Sequence, residues 1–407
     1  MKIKIHTQIF IAIIAGGIVG VILGPDAEHI KIVGDIFIRL LRMIIIPLIM
    51  ASMITGIVSI GSSRRLGRIT FRTATYYLAT TLLAVTVGLV LVNIIKPGVG
   101  VELAAEQNIV DLQHKPPSAL TIISDIVPKN LFTAMANDKV LSVIFFSLLV
   151  GFAISSVGAK ARAVAEFFDG LNEIMLKISD WVMRLAPLGV FALMAYTIGI
   201  TGLDVLKPLA LYMVTVIVGL SIHACITLPV LLAAVGRYSP LRFFRHMFSA
   251  TATAFSTASS AATLPITMDC LEKNVGVSKK IAGFVLPLGA TINMDGTALY
   301  EAVAAMFIAQ AYGITMTLPQ QITIMLTAAL ASIGAAAIPS AGLITMVIVL
   351  RAVGLPLDGI AMILAVDRIL DMSRTAVNVW GDSCGAAIVA HLEGEKLTEP
   401  AETAQST

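Results

Sequence analysis

Charged residues are scarce in this chain. Asp, Glu, Lys and Arg make up 13% of its 407 residues, whereas hydrophobic residues make up 57%, and its mean hydropathy is +0.92. A soluble domain of this size needs many more charges to cover its surface, so the composition excludes an ordinary soluble protein. The net charge of +3 is small and no basic run fits nucleic acid, so we expect no nucleic-acid partner.

Cysteine and histidine are also few, and neither forms a recognisable site. The three cysteines (Cys225, Cys270 and Cys384) are scattered and indicate neither a disulfide framework nor a CxxC metal site. None of the six histidines pairs with another at metal-ligand spacing. We interpret His223, which lies between apolar runs, as a hydrogen-bonded interior residue. Because no serine–histidine pair is placed for hydrolysis, we predict that the chain is not an enzyme.

Long apolar segments dominate the sequence instead. The start, Met1–Lys4 followed by an apolar run to Leu23, resembles a secretory signal, but no small-x-small cleavage site follows, so we interpret it as an uncleaved first span. Segments of membrane-spanning length cover residues 7–24, 32–60, 70–95, 139–158, 176–200 and 206–235. These lengths predict an all-α, multi-pass membrane protein surrounded by lipid.

The charges between the early spans indicate an orientation. The N-terminus carries Lys2 and Lys4, and the second loop carries four arginines between Arg64 and Arg72, whereas the loop 97–130 is acidic. The positive-inside rule therefore places the N-terminus in the cytoplasm and loop 97–130 outside. The expected location of the chain is the cell inner (plasma) membrane. The polar tail, residues 393–407, is predicted to be disordered.

From residue 240 onward the apolar stretches are short and interrupted. Segments 240–275 and 317–350 each read as two half-length helices meeting at a tip of small residues, which is the pattern of a re-entrant hairpin. Each is followed by a long apolar segment with acidic residues, 278–312 and 357–391. This twofold repeat indicates a transporter binding site at the bilayer midplane. The alternative is two ordinary helical pairs with small-residue packing faces.

One polar stripe is predicted along the last of these segments. Its members are Asp367, Asp371, Arg374, Asn378 and Asp382, which fall within about 80° of one another on a helix. Ionisable residues in a span usually face the protein interior or a water-filled path. Three carboxylates against one guanidinium leave uncompensated negative charge, and bound cations are the simplest candidates to neutralise it. Pairing of Arg368 with a stripe carboxylate would reduce this excess by one unit.

Two features of segment 278–312 indicate ion coupling. The run Asn293–Thr297 is a poor helix, and an unwound turn there would present hard oxygen ligands suited to Na⁺; the alternative is a kink that neighbouring helices satisfy. Glu301 lies beyond it among apolar residues, where burial favours the protonated carboxyl, so it is a candidate proton carrier. Its alternative is a permanently neutral, hydrogen-bonded acid.

The stripe also has the groups that an amino acid would need. Arg374 can grip a carboxylate with its planar fork, Asp371 can accept an ammonium group, and Asn378 offers both a donor and an acceptor. A guanidinium in addition to the usual backbone donors suggests a second carboxylate, on the substrate side chain. The alternative is an internal Asp371–Arg374 salt bridge with no ligand.

These motifs together resemble the glutamate transporter family, the dicarboxylate/amino acid:cation symporters. The likeness runs over nearly the whole chain, and the absence of a long insertion between residues 97 and 160 indicates a prokaryotic member. The matching stretches are Ser259–Pro265, Leu286–Thr297, Ala331–Gly334 and Asp371–Asn378, the last continuing to Gly381 and Asp382.

The resemblance implies a fold of eight transmembrane helices and two re-entrant helical hairpins, with inverted repeats, assembled as a homotrimer. Residues 1–235 would form mainly the scaffold, with spans three and six partly in the transport domain. Residues 236–392 would form a transport core that crosses the membrane as an elevator, gated by the second tip.

The resemblance also implies site residues. Substrate would be lined by Ala258, Ser260, Thr297, Ile338, Gly342, Asp371, Arg374, Thr375 and Asn378. Sodium would be held by three sets: Gly289, Asn293, Asn378 and Asp382; Thr291, Ser332, Ile333 and Ala335; and Tyr77, Thr80, Thr81, Asn293 and Asp295. Asp367 would support Asp382 from nearby.

The expected function is symport of an acidic amino acid, glutamate or aspartate, with sodium ions. Glu301 matches the animal branch, where this glutamate is linked to proton coupling, so a proton is expected as a second coupling ion. Some relatives have an arginine at the position of Ala258 or Met372, and this chain has neither. Alternatives are a C4-dicarboxylate carrier, which Asp371 argues against, a neutral amino acid carrier, which Arg374 argues against, and an anion channel, which needs no cation sites.

Overall fold

The part of the chain that the computed structural model describes is helical throughout. It comprises residues 5–61, 67–100, 127–137, 140–202, 206–333, 341–357, 359–364 and 366–397. The helices are α1 (Ile5–Leu23), α2 (Lys31–Gly61), α3 (Gly67–Ile95), α4 (Leu131–Ala136), α5 (Val140–Val157), α6 (Arg162–Arg184), α7 (Ala186–Thr201), α8 (Leu206–Ile222), α9 (Leu228–Ala234), α10 (Pro240–Thr257), α11 (Ser260–Cys270), α12 (Lys279–Ile292), α13 (Asp295–Ala311), α14 (Leu318–Ile333), α15 (Ala341–Ala352), α16 (Ile360–Leu364) and α17 (Asp367–Leu392).

The apolar helices confirm a multi-pass membrane protein. Among the residues that the structure describes, four helical segments are long and apolar enough to cross a membrane, and Ile46–Val58 and Ala186–Ile200 are shorter apolar helices. The four long segments are Ile11–Leu40, Arg68–Ile95, Ser142–Ile178 and Leu206–Ala234. The charges used to predict the orientation lie largely outside the described residues, since Lys2, Lys4, Arg64, Arg65 and residues 101–126 are among those not described.

The predicted span 176–200 is wrong as a single helix. The structure has one helix ending at Arg184 and another beginning at Ala186. Pro187 lies in the first turn of the second helix, where its missing amide hydrogen costs nothing, but it would interrupt a continuous helix. The preceding helix α6 begins as early as Arg162, and its charged face hid it from a search for uniformly apolar runs.

A helical hairpin is present where the first interruption was predicted. Helices α10 and α11 pack against each other and are separated by Ala258 and Ser259. Ala258 has a left-handed backbone (φ 50°), which ends α10, and the Ser259 hydroxyl accepts a hydrogen bond from the Ala262 amide at 3.2 Å, which caps α11. For the second hairpin, α14 packs on α15, and its tip, residues 334–340, lies outside the described residues.

The predicted break in segment 278–312 is present but narrower than Asn293–Thr297. Only Asn293 and Met294 leave the helical conformation, between α12 and α13. Asp295 already forms the first turn of α13, where the amide hydrogens of a helix N-terminus favour a carboxylate. The break therefore confines the irregular backbone to two residues directly beside an acidic side chain.

Helices α13 and α17 lie at the centre of the molecule. Every residue of α13 except Gln310 is buried, and α17 is buried continuously from Val377 to Ala390. The two helices pack on each other, and α3, α8, α14 and α15 pack around α13. Helices α1, α2, α5, α6 and α7 pack mainly among themselves. Both central helices carry the predicted polar residues, so these residues are withdrawn from solvent.

The start of the tail is packed against the rest of the chain. Arg72 Nη1 donates to Glu393 Oε1 at 2.8 Å, and the Ser278 amide donates to Glu395 Oε2 at 3.0 Å. The predicted disorder of residues 393–407 therefore does not describe residues 393–397. Residues 398–407 lie outside the described part.

Candidate functional site

Oxygen atoms converge around Asp295 at the start of α13. Its Oδ1 lies 2.7 Å from Thr81 Oγ1 and 3.3 Å from Thr80 Oγ1. Thr80 Oγ1 is also 3.4 Å from Asn293 Oδ1 and 3.2 Å from the Tyr77 carbonyl oxygen. A hydroxyl has one hydrogen, so Thr80 can donate to only one of these three acceptors. The remaining close oxygens repel one another, and a small cation among them would relieve that repulsion.

A second carboxylate, Asp382, lies on the other side of Asn293. Asn293 Nδ2 donates to Asp382 Oδ1 at 3.0 Å. Gly289 faces the same carboxylate, because a Cβ atom there would collide with Asp382 Oδ1 and with the Tyr77 hydroxyl. The break after α12 thus aims Asn293 between two acidic side chains, with its carbonyl toward Thr80 and its amide toward Asp382.

The charge around these two carboxylates is unbalanced. Asp295 is 0% and Asp382 2% exposed. Among the residues that the structure describes, neither forms an ion pair with lysine or arginine; the basic group at Asp295 is His223, whose Nε2 lies 3.1 Å from Oδ2. Burying a carboxylate without a positive partner is costly. The donor set of carboxylate, hydroxyl and amide oxygens fits a hard cation such as Na⁺.

The predicted sodium-binding sets differ in how far the structure assembles them. The set of Tyr77, Thr80, Thr81, Asn293 and Asp295 is brought together, and so are Gly289, Asn293 and Asp382. In the set of Thr291, Ser332, Ile333 and Ala335, the first two hydroxyls donate to carbonyls of their own helices, Pro287 at 3.2 Å and Ala329 at 2.9 Å. Ile333 ends α14, and Ala335 lies outside the described residues.

Arg374 is the largest of the fully buried side chains, with 1% of its surface exposed. Its Nη2 lies 2.9 Å from Asp371 Oδ1 and 3.2 Å from Asp367 Oδ1, and its guanidinium carbon lies 3.8 Å from the centre of the Tyr300 ring. The internal Asp371–Arg374 salt bridge is therefore present. Even so, Nε and Nη1 find no acceptor among the described residues. Buried donors without acceptors are unfavourable, so these two nitrogens can receive an anionic group.

The remaining predicted substrate residues lie on the helices around Arg374, and they differ in what they contact. Asn378 Oδ1 accepts from the Gly296 amide at 2.8 Å, and its Nδ2 donates to Thr297 Oγ1 at 3.3 Å. A Cβ atom on Gly342 would contact Arg374 Nη1, which places the second hairpin beside the unsatisfied nitrogen. Thr375 is buried and its hydroxyl donates to the Asp371 carbonyl at 2.8 Å.

The tips of the two hairpins give few contacts that bear on the predicted substrate site. At the first tip, Ala258 and Ser260 are buried, but no hydrogen bond joins Ser260 to Arg374 in the described part of the chain. At the second tip, Ile338 lies outside the described residues.

The predicted support of Asp382 by Asp367 is wrong. The two residues are 15 positions apart on one helix, which corresponds to about 22 Å along its axis. Asp367 instead accepts a hydrogen bond from the Tyr300 hydroxyl at 2.8 Å and pairs with Arg374. The additional pairing considered for Arg368 is present, with Nη1 3.5 Å from Asp371 Oδ2.

Glu301 is 0% exposed on α13, and its Oε1 accepts a hydrogen bond from the Thr345 hydroxyl on α15. Its Oε2 has no partner among the described residues. Both readings of this residue from the sequence, a proton carrier or a neutral hydrogen-bonded acid, are compatible with a single hydroxyl contact. The location of Glu301 two turns from Asp295 separates it from the cation ligands.

Two participating side chains, Tyr300 and Thr345, were not predicted from the sequence, and neither was the partner of His223. The interpretation of His223 as a hydrogen-bonded interior residue is confirmed, but its partner Asp295 was not foreseen. A π-helical turn, His223–Thr227, precedes Pro229 and positions this imidazole. One signal was available: a histidine inside an apolar run requires a buried polar partner, and Asp295 was a candidate.

The fold and the site together define an ion-coupled transporter class. It is a multi-pass helical membrane protein whose described residues leave buried carboxylates without a lysine or arginine partner and two nitrogens of a buried guanidinium without an acceptor. Comparison with known proteins agrees with this class. The profile of the sodium:dicarboxylate symporter family matches residues 5–392. The chain therefore belongs to this family.

Individual relatives support the assignment. The chain is 42% identical to excitatory amino acid transporter 2 of Mus musculus, over 89% of this chain and 73% of that transporter. It is 40% identical to an excitatory amino acid transporter of Caenorhabditis elegans, over 91% and 83%. It is 37% identical to the proton/sodium-glutamate symport protein of Geobacillus stearothermophilus, over 97% and 96%.

Proposed function

We propose that this chain is a secondary active symporter that imports an acidic amino acid, glutamate or aspartate, with sodium ions and protons. The observation that carries the proposal is the buried Arg374, whose Nε and Nη1 have no acceptor among the described residues, within reach of a hairpin and a cation-binding region. The names of the relatives, excitatory amino acid transporters and a proton/sodium-glutamate symport protein, support the same substrate and ions.

Binding of the substrate would use two charged side chains of the polar stripe, Arg374 and Asp371. One substrate carboxylate accepts from the free edge of Arg374, and the ammonium group binds Asp371. Arg374 stays in place because the Tyr300 ring and Asp367 hold its other side. Asn378 and Thr297 supply a donor and an acceptor for the remaining polar atoms, with Thr375 and Gly342 at the edges. Ala258, Ser260 and Ile338 would close the site from the two tips.

Sodium ions would be co-transported at the oxygen clusters. One binds Asp295 with Tyr77, Thr80, Thr81 and Asn293, and another binds Asp382 with Gly289, Asn293 and Asn378. A third would use Thr291, Ser332, Ile333 and Ala335, mostly through their backbone oxygens. Neutralised in this way, the carboxylates can cross hydrocarbon at a much lower electrostatic cost. Glu301 would carry the proton.

The larger architecture follows the family resemblance. Residues 1–235 would provide the scaffold and residues 236–392 the transport core, within eight spans, two re-entrant hairpins and inverted repeats. The separate packing of α1, α2, α5, α6 and α7 supports this division, and the contact of α3 with α13 supports a share of span three in the core. A homotrimer in the inner (plasma) membrane, with a cytoplasmic N-terminus and elevator movement, completes the proposal.

The test is uptake into liposomes containing the purified protein, with Na⁺ and pH gradients imposed one at a time. We expect labelled glutamate or aspartate to accumulate only with an inward Na⁺ gradient, and faster when the outside is acidic. The family description favours a second candidate, a C4-dicarboxylate carrier. Equal uptake of succinate and aspartate would support that candidate, and ohmic anion current without any need for Na⁺ would contradict both.

A further inference from the structure

The hydroxyl of Thr345 connects Glu301 to the second hairpin. Thr345 lies in the second turn of α15, is buried, and donates to Glu301 Oε1. A second acceptor for the same hydroxyl is the Gly342 carbonyl oxygen at 3.3 Å, one turn earlier. Gly342 in turn lies against Arg374 Nη1. A single side chain therefore contacts the acid on α13 and the part of the hairpin that lies on the guanidinium.

The bond that Thr345 can make to Gly342 depends on the protonation of Glu301. When Glu301 is ionised it is only an acceptor, and the single hydroxyl hydrogen of Thr345 points at Oε1. When Glu301 is protonated, its own O–H can donate to Thr345 Oγ1. The Thr345 hydrogen is then released to the Gly342 carbonyl, which strengthens the first turn of α15. The only covalent change is the O–H bond that Glu301 forms on taking up the proton, and Thr345 keeps its own hydrogen.

We propose that Thr345 is a positioning residue that transmits the protonation state of Glu301 to the second hairpin through this exchange of hydrogen bonds. The inference rests on the proposed function, because it takes Glu301 as the proton carrier. It adds a residue and a physical link between proton loading and the hairpin next to the substrate guanidinium.

A small cavity supports a further part for Thr345 in proton access. The cavity is about 10 Å³, close to the space that one water molecule occupies, and lies between the scaffold helices α2 and α5 and the hairpin helices α14 and α15. Thr345 lines it together with Ser52, Ile144 and Ala331, whereas Glu301 does not. A proton that reaches Glu301 from this cavity therefore passes the Thr345 hydroxyl, which can accept at oxygen and donate its own hydrogen.

The other charged groups near Glu301 are largely balanced. Arg374 faces it from α17, but that guanidinium is paired with Asp367 and Asp371. No titratable residue occurs in α14. The other titratable and charged groups on α13 and on the helices packed against it are Asp295 and Tyr300 on α13, Arg368, Asp382, Cys384 and His391 on α17, Lys207 and Tyr212 on α8, Arg68, Arg72, Tyr76 and Tyr77 on α3, and Arg351 on α15. Among the described residues, none of these groups hydrogen-bonds Glu301, whereas the Thr345 hydroxyl does.

The experiment compares variants of Thr345 in proteoliposomes, by initial uptake rate at fixed Na⁺ gradient over a series of pH values. Thr345→Val keeps the shape and removes the hydroxyl, and Thr345→Ser restores it; Thr345→Ala is measured alongside so that the test does not depend on one variant folding. The matched control is Thr323→Val, a buried threonine in the same hairpin whose hydroxyl donates to Pro319 at 3.0 Å. Glu301→Gln reports on the proton carrier itself.

In Thr345→Val both forms of Glu301 lose their bond to the hydroxyl, but the ionised form loses the stronger, charge-assisted bond, so deprotonation requires a higher pH. We expect the decline of uptake with rising pH to move upward by about one unit or more. Thr345→Ser and Thr323→Val should follow the parent, and Glu301→Gln should be independent of pH. A parental profile for Thr345→Val, or an equal shift for Thr323→Val, overturns the inference but leaves Glu301 as carrier. A parental profile for Glu301→Gln overturns the proton coupling and the inference with it.

Discussion

At the scale of single residues, the site combines two kinds of unsatisfied group. Within the described part of the chain, Nε and Nη1 of Arg374 have no acceptor, and the oxygens around Asp295 outnumber the hydrogens available to them. Both are unfavourable in a buried region, and each is relieved by a solute of the opposite character. Coupling of an anionic substrate to cations follows from this arrangement, because each solute lowers the cost of burying the other.

Replacing Arg374 should separate acidic from neutral substrates. In Arg374→Ala the second carboxylate of glutamate or aspartate loses its charged partner, so affinity should fall by roughly 10- to 100-fold or more. Some binding of neutral amino acids should remain, because Asp371 is retained. Calorimetry with aspartate and with a neutral analogue measures both. Arg162→Ala, which removes an exposed guanidinium paired with Glu166, is the control. Unchanged aspartate affinity in Arg374→Ala would refute the role.

Replacing Asp295 should weaken sodium binding. Asp295→Asn keeps the shape of the side chain but removes the charge, so the Na⁺ concentration for half-maximal uptake should rise by at least about tenfold. Asp269→Asn is the control, since that carboxylate forms an exposed ion pair with Lys273. A sodium dependence equal to that of the parent would show that Asp295 does not hold a cation.

At the scale of secondary-structure elements, short breaks determine where the polar groups lie. Asn293 and Met294 interrupt one long helix, and this places an amide and a carboxylate side by side at the helix ends. Ala258 and Ser259 likewise separate the two helices of the first hairpin. Irregular backbone at this depth is tolerated because the surrounding helices cover it.

Two glycines on α12 give a test at this scale. A Cβ atom at Gly289 would collide with Asp382 and Tyr77, whereas at Gly283 the nearest atom is Met268 Cε at 3.9 Å. Gly283→Ala should raise thermal stability slightly, since alanine favours a helix by up to about 1 kcal/mol. Gly289→Ala should displace Asp382 and lower sodium affinity. Thermal shift with and without Na⁺ measures both variants, and equal sodium responses would contradict the proposed role of Gly289.

At the scale of the whole molecule, the other helices surround α13 and α17, and the start of the C-terminal tail connects the end of α17 to neighbouring helices. Glu393 and Glu395 join the end of α17 to α3 and to the start of α12. These contacts link elements that are far apart in the chain, so they stabilise the packing of helices against each other rather than any one helix.

Truncation separates the packed part of the tail from the remainder. A chain ending at Leu392 loses both glutamate contacts and should unfold a few degrees below the full chain, because partly exposed ion pairs contribute little each. A chain ending at Leu397 should unfold with the full chain. Size-exclusion chromatography after heating in detergent measures the difference. Equal unfolding temperatures for the two truncations would show that the glutamate contacts are not stabilising.

Local sequence patterns were sufficient to predict the features that depend on a single helix. The helical spacing of Asp371, Arg374 and Asn378 places them on one face whatever surrounds them. The small and hydroxyl residues around Ala258, and the asparagine, aspartate and glycine after Ile292, favour a break in a helix. The family likeness, the helix breaks and the buried stripe could therefore be predicted from the residues alone.

Only the tertiary structure decided which polar groups meet across elements. Asp367 pairs with Tyr300, His223 with Asp295 and Glu301 with Thr345, over separations of 67, 72 and 44 residues. Such pairs depend on how whole helices cross and rotate against each other, and that is determined by the combined packing of many apolar side chains. Helical periodicity carries no information about it, because the period describes one helix and not the distance to the next.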